Sequence, residues 1–417
     1  MIKHILKIIW TERKSNAWIL LELTLVFCVL WFCSDYLYFN AKRYMEPKGF
    51  DIEHTYRIGI TMNDEGRKID ASGSDEEKER LLQNLWTIYD RIKAYPTIED
   101  ISYSWASVPY SGNFNDSDSF VDSTNIHPWA KVITPGFFKV FKINIISGVP
   151  FNDVNSVVGN NVVISGTRND KFGPKNVTDV NELRHPDDTK DKVIGVANKA
   201  KYNEYSDYRM ITYYPLKKDD KSIISYREIA IRVKPEADKN FADKFTKDMQ
   251  NQLEVGPYFL TSVTPISKDR ELFMDWVGYS GDFKSIFSIT TFLIVNIFLG
   301  IIGTFWFRTQ SRRSEIGLRI ATGASRANIQ KMFVGETLIL LFLASIVAAV
   351  ICINVSLADI LKDISVPIIN SKQGIEMRYL INYGLTFLFL ALIAILAVWY
   401  PAKQASEIPP VEALHDE

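Results

Sequence analysis

Apolar residues in this chain are bunched into four runs, at about 17–39, 286–307, 333–353 and 379–400, with longer mixed stretches between them. Each run is close to the roughly 20 residues a helix needs to cross the hydrocarbon core of a bilayer. They predict transmembrane helices at 17–39, 285–307, 333–353 and 379–400. Between the first two, over residues 40–284, the pattern changes. Tyr56, Ile58 and Ile60 alternate with Arg57, Gly59 and Thr61, as in a strand with one buried face, and a charged helical stretch at 75–94 leads to a second strand at 98–108. Near the far end, 228–233 reads as a strand, 238–253 as an amphipathic helix carrying Phe241, Phe245 and Met249, and 258–263 as a strand. Two βαβ units therefore flank a central insertion at about 109–226. The insertion has short strands at 129–134, 161–165, 192–197 and 211–214, which makes it mostly β. The expected fold is an α+β membrane protein with four transmembrane helices and one large domain, a βαβ-βαβ lobe with an inserted mostly-β lobe.

Mean hydropathy near zero and a net charge of -1 add little, but the distribution of charge orients the helices. Lys3, Lys7, Arg13 and Lys14 outnumber Glu12 ahead of the first run, which places residues 1–16 in the cytoplasm. Four crossings return 401–417 there. The segment 308–332 is the most basic short loop and must also be cytoplasmic, so the two signals agree; 40–284 and 354–378 then lie outside. The outer domain is large enough to bury its own core. Phe32 precedes Cys33 where a lipobox needs a small residue, and no Ala-x-Ala site follows, so the first run reads as a retained helix. Glu22 and Asp35, near its two ends, read as packing or interface groups rather than a proton path. Cys28, Cys33 and Cys352 fall in or beside the runs, which leaves the outer domain without a disulfide.

Within the basic loop, Gly323 can take a left-handed turn after one helix and Ser325 can cap the next. Ile316 and Ile320, with Leu318 and Ala321 beside them, give the first of these helices an apolar side. Arg312, Arg313, Arg319 and Arg326 stay available for lipid phosphate or a partner's carboxylates. Such a helix lies on the membrane rather than crossing it, and a plain basic loop is the competing reading.

Catalytic chemistry is sparse. His4, His54, His127, His185 and His415 are scattered, and no His-Glu-x-x-His, Gly-x-Ser-x-Gly or phosphate-binding loop occurs. The chain is read as a non-enzyme with no metal or cofactor and no nucleic-acid partner; a triad assembled by folding stays open. Polar stretches at 75–80, 113–119 and 179–192 read as solvated loops. The aromatic stretches 105–110 and 202–214 suit core packing or a contact surface, and Gly300, Gly303 and Thr304 suit ordinary packing or a dimer seam.

Glu315-Ile-Gly-Leu-Arg-Ile-Ala-Thr-Gly-Ala-Ser-Arg326 resembles the coupling segment Glu-Ile-Gly-x-Arg-x-Ala-x-Gly-Ala-x of MacB/FtsX-like permeases of ABC transporters. Pro401, Ala402 and Ala405, with Pro410, Ala413 and Leu414, resemble that family's ending. Ile133-Thr134-Pro135-Gly136-Phe137-Phe138, followed by Gly148, is similar to a signature of its periplasmic core domain. The resemblance implies an inner-membrane dimer of permease subunits, identical or paralogous, bound to two ATPase subunits that hold the ATP. Closure of the ATPases is transmitted across the membrane to the periplasmic domains, a mode called mechanotransmission. It assigns ATPase coupling to Arg312, Arg313, Glu315, Ile316, Gly317, Arg319, Ala321, Gly323 and Ala324. By analogy alone it adds a periplasmic adaptor and an outer-membrane channel, and export of a peptide, lipoprotein, macrolide or toxin.

About sixteen residues precede the first run, so a separate ATPase is expected. Ile320 and Thr322 depart from the family's basic residue and leucine at those positions. Two alternatives stay open: an FtsX-like regulator of a cell-wall hydrolase, and a scaffold or receptor that needs no ATPase. Ile316→Asp or Arg319→Glu is expected to separate a motor-driven protein from a passive one.

Overall fold

The computed structural model describes residues 9–11, 13–151, 161–172, 175–358, 375–407 and 409. Lys3, Lys7, Glu12, His4, His415, most of the expected 354–378 loop and the closing motif from Pro410 to Leu414 lie outside the described residues. The chain forms two compact units, a helical one from residues 1–42 and 280–417 and a sheet unit from 43–279.

Helix α1 (Arg13–Met45) outruns its apolar core because the flanking polar residues are compatible with helix and no breaker arrives before Pro47. In the sheet unit, β1 (Thr55–Met62) leads to α2 (Asp64–Ser72), which was not predicted, and α3 (Asp75–Lys93). Ser74 and Glu77 form a capping box on α3, so the polar stretch 75–80 is its first turns. Strand β2 (Ile98–Trp105) follows.

The central strands are β3 (Asn115–Asp116), β4 (Ser119–Val121), β5 (Thr124–Ile126) and β6 (Trp129–Ile133), then α4 (Gly136–Val140) and β7 (Ile145–Gly148). After them come β8 (Asn161–Ser165), β9 (Lys171–Phe172), β10 (Lys175–Asn176), β11 (Glu182–Arg184), β12 (Lys190–Ala197) and β13 (Ile211–Pro215). The stretches 113–119 and 179–192, expected as loops, therefore contribute strands; main-chain pairing satisfies them without an apolar pattern. Strand β14 (Glu228–Val233), α5 (Phe241–Met249), β15 (Tyr258–Pro265) and α6 (Ile266–Trp276) complete the unit.

Strand β1 pairs antiparallel with both β15 and β14, and β14 pairs antiparallel with β2. The two βαβ units are thus interleaved, each splitting the other, in the order β15-β1-β14-β2. Strand β2 then pairs with β6, and β6 with β13, so among the described residues the insertion continues the first layer into one 13-stranded sheet. Apart from the separate two-stranded sheet of β9 and β10, its strands belong to that large sheet, and it keeps a core around Val162, Ile164 and Leu183. Leu85, Ile88, Tyr103, Ile231 and Phe245 form the core under α3 and α5. Tyr110 and Tyr213 are buried beside Phe137 and Phe141, so these members of the aromatic stretches pack the interior. Gly136 explains the short signature structurally: a Cβ there would lie 2.1 Å from the carbonyl oxygen of Ile101.

The helical unit continues with α7 (Tyr279–Ser311), α8 (Arg313–Ala321), α9 (Arg326–Leu357) and α10 (Ile375–Ser406). Among the described residues, four helices, at 16–45, 279–311, 326–357 and 377–406, are long and apolar enough to cross a membrane. Ala344, Ala348, Ala394 and Ala397 are buried in this unit's core, where small side chains let helices approach closely. Phe287, Leu299, Val347 and Leu388 point outward, as lipid-facing residues do. Gly300 makes room for Glu22, whose carboxylate would meet a Cβ at 2.4 Å. Asp35 is paired with Arg378, Oδ1 accepting from Nε at 2.8 Å. The three cysteines are free thiols in this unit.

Candidate functional site

Second span α7 ends at Ser311 and α8 begins at Arg313, so one residue, Arg312, leaves helical geometry between them, at φ -108° and ψ 17°. Gly323 takes φ +97°, the left-handed turn expected from its sequence context. The amides of Gly323 and Ala324 donate to the carbonyls of Ile320 and Arg319 and close α8. Ser325 then caps α9, its hydroxyl accepting from the amide of Asn328 at 3.3 Å. A short helix set between two spans by a one-residue break and a glycine turn has a fixed direction.

Which face it shows differs from expectation. Ile316, at 1% exposure, and Gly317 are buried in the core of the helical unit, while Leu318 is 56% exposed. Glu315, Ala321, Thr322 and Gly323 are exposed, and Arg313, Arg319, Ile320 and Ala324 are partly so. The apolar side expected at Ile316 is used within the unit, and the outward stripe runs through Glu315, Leu318 and Thr322 at helical spacing.

Arg312 is also corrected: it is not available to lipid or partner. Its side chain is buried, with Nη1 donating to Oε2 of Glu336 at 3.0 Å. Arg308 donates to the other oxygen, Oε1, at 2.6 Å, and also to the side chain of Asn16. A carboxylate ten residues inside α9 needs such partners, because an unpaired buried charge is costly. Arg319 lies along α8, its Nε donating to Glu315 at 3.1 Å. Arg308, Glu336 and Asn16 were not singled out from sequence. The available signal was a lone acidic residue inside an apolar run.

The sheet unit offers weaker candidates. His54 Nδ1 lies 2.9 Å from Asp238, and His127 pairs with Asp118. His185 Nε2 is 2.6 Å from Asp191, and its Nδ1 is 3.5 Å from the Ser119 hydroxyl. This serine, histidine and aspartate sequence has the order of a hydrolytic triad, but Ser119 is fully buried, out of a substrate's reach. No group of three or more metal-ligating side chains occurs among the described residues. A groove of about 680 Å³ is lined by Lys93, Asp100, Phe138, Lys139, Lys142 and Phe151, and burial raises the Asp100 carboxyl above its ordinary value. Elsewhere, Glu46 accepts from Arg168 at 2.8 and 2.9 Å, and this pairing holds its carboxyl at about 2.

Residues 287–410 match the family profile described as FtsX-like permease C-terminal. The chain is 23% identical over 287 residues to "Macrolide export ATP-binding/permease protein MacB 2" of Yersinia pestis, an alignment that covers 67% of this chain and 40% of that protein. It is 24% identical over 242 residues to "ABC transporter permease YtrF" of Bacillus subtilis, covering 54% of this chain and 52% of the relative. The chain thus spans about 40% of the length of the MacB relatives it matches. Among solved structures, the periplasmic region of MacB from Actinobacillus actinomycetemcomitans aligns with 53% of this chain and 94% of its own, at 13% identity and a TM-score of 0.31. Residues 287–410 thus match an FtsX-like permease C-terminal domain, and the chain is similar in sequence to MacB and YtrF permeases.

Proposed function

We propose that the chain is the permease subunit of an ABC transporter in which a separate ATPase docks on α8 and its closure moves the sheet unit, which lies outside the membrane. The observation that carries this reading is the outward stripe of Glu315, Leu318 and Thr322 on a short helix held between two spans. Nine residues suffice for a docking knob, and their rigid connection to α7 lets a push travel. The sheet unit then has two positions biased by nucleotide state, which is mechanotransmission in physical terms.

ATP is held by the ATPase, so this chain needs no cofactor. The permease works as a dimer in the bacterial inner membrane, with both termini cytoplasmic and the sheet unit periplasmic. Its cargo is a peptide, lipoprotein or drug-like molecule moved by export or efflux, and an adaptor and an outer-membrane channel extend the route.

The test is a detergent pull-down of tagged wild type beside Leu318→Asp, read by mass spectrometry for a co-purifying ATPase. Ile316→Asp is unsuitable, since it would place a charge in the core. An ATPase present with wild type and lost with Leu318→Asp at unchanged permease yield is expected. No ATPase with wild type would sink the reading and favour a scaffold.

A further inference from the structure

We propose that Glu336 is a positioning residue that bolts the coupling helix to the third span, so that a displacement of α8 is handed to the first three spans together. The inference rests on the ATPase-driven reading above.

Four observations carry it. Arg312, the one residue outside helical geometry between α7 and α8, is where a hinge would sit. Its side chain is buried and tied to Oε2 of Glu336, 24 residues further along the chain. Arg308, one turn earlier on α7, ties the other oxygen. Arg308 also reaches Asn16 of α1, which is 1% exposed and donates in turn to the carbonyl of Ile9 at 2.8 Å. One carboxylate, with each oxygen on a different guanidinium, thus gathers α1, α7, α9 and the hinge before α8.

Stability alone does not call for this arrangement. Replacing a buried ion pair by well-packed apolar residues is often neutral or stabilising, and Phe305, Phe333 and Leu340 show that this core accommodates apolar side chains. What the ion pair supplies is direction. Apolar surfaces can slide past each other, whereas forked hydrogen bonds from two guanidiniums hold one angle at Arg312. A hinge held in this way passes force on instead of bending.

The experiment uses the whole complex in lipid nanodiscs and compares wild type, Glu336→Gln, Glu336→Asp and Arg312→Gln. Three quantities are read: the amount of ATPase bound, the melting temperature of the permease, and the ATP-dependent change in protease susceptibility of the sheet unit. Glu336→Gln and Arg312→Gln are expected to keep their bound ATPase while the ATP-dependent change falls by about tenfold. Glu336→Asp, which keeps the charge, should restore part of it. A merely structural role would lower melting and ATPase binding together and would spare transmission in whatever complex survives.

ATP-dependent change within about twofold of wild type in the glutamine variants overturns the bolt and leaves the ATPase reading intact. If Glu336→Gln does not assemble, Arg312→Gln decides, because it leaves the pair between Arg308 and Glu336 in place. Absence of any ATPase from the wild-type complex overturns both proposals.

Discussion

At the scale of single residues, buried charges and exposed apolar groups make the sharpest predictions. Glu46 is ionised in the fold because Arg168 grips it through two hydrogen bonds, with Lys201 3.0 Å away. Its carboxyl sits at about 2, below the unfolded value. The pair therefore stabilises the protein above the ordinary carboxylate range, and that contribution is lost as pH falls through this range toward 2. The melting temperature of wild type should drop more steeply between pH 6 and pH 3 than that of Glu46→Gln, and equal slopes would remove the pair from the account. A second contrast concerns α8. Ile316→Asp buries an unpaired carboxylate and should cost about 3–5 kcal/mol or abolish folding, whereas Leu318→Asp on the open face should stay within about 0.5 kcal/mol. Yield and melting of the purified variants check both. Sequence spacing put Ile316 and Ile320 on one face of a helix, but it did not say whether that face looks inward. Arg312 was misjudged for a related reason: its partner Glu336 lies 24 positions away, beyond the reach of any local pattern.

At the scale of elements, helix ends were the most readable features, because caps and turns depend on a few adjacent residues. Gly323 takes the left-handed turn that its lack of a Cβ permits, and the Ser325 hydroxyl caps the helix that follows. Gly323→Ala should cost about 1 kcal/mol through its positive φ, and Ser325→Ala about 1 kcal/mol through the lost cap. Both sites are exposed, so packing is spared, and thermal melting measures the loss; no change in either variant would mean the turn is held by other contacts. Strands β1, β2, β14 and β15 were placed from alternation within a few residues of their ends. The short strands β3 and β11 lie in stretches expected as loops, since two or three residues, with Leu183 the one apolar position among them, are too short to carry a periodic signal. Helix α6 was missed because its apolar residues, Phe273 and Met274 on one side with Leu272 and Trp276 on the other, do not form a single stripe.

At the scale of the whole molecule, the two units have separate cores, one around Leu85, Tyr103 and Phe245 and the other around Phe305, Phe333 and Leu340. Leu85→Ala should cost about 2–5 kcal/mol and increase cleavage within the sheet unit alone, while Leu340→Ala should do the same to the helical unit. Limited proteolysis mapped by mass spectrometry tells them apart, and linked losses would mean that one core supports both. By itself the sequence determined the four apolar helices, the place of the large domain between the first two, the α+β class and the turn at Gly323. All of these follow from hydropathy, periodicity or cap chemistry within a window of about 20 residues. Only the tertiary structure decided that β14 runs between β1 and β2, that the insertion joins the same sheet, that Leu318 faces out and Ile316 in, and that Glu336 gathers Arg308 and Arg312. Strand order and the direction of a helix face are set by pairing and burial between segments far apart in the chain, and local patterns do not encode those contacts.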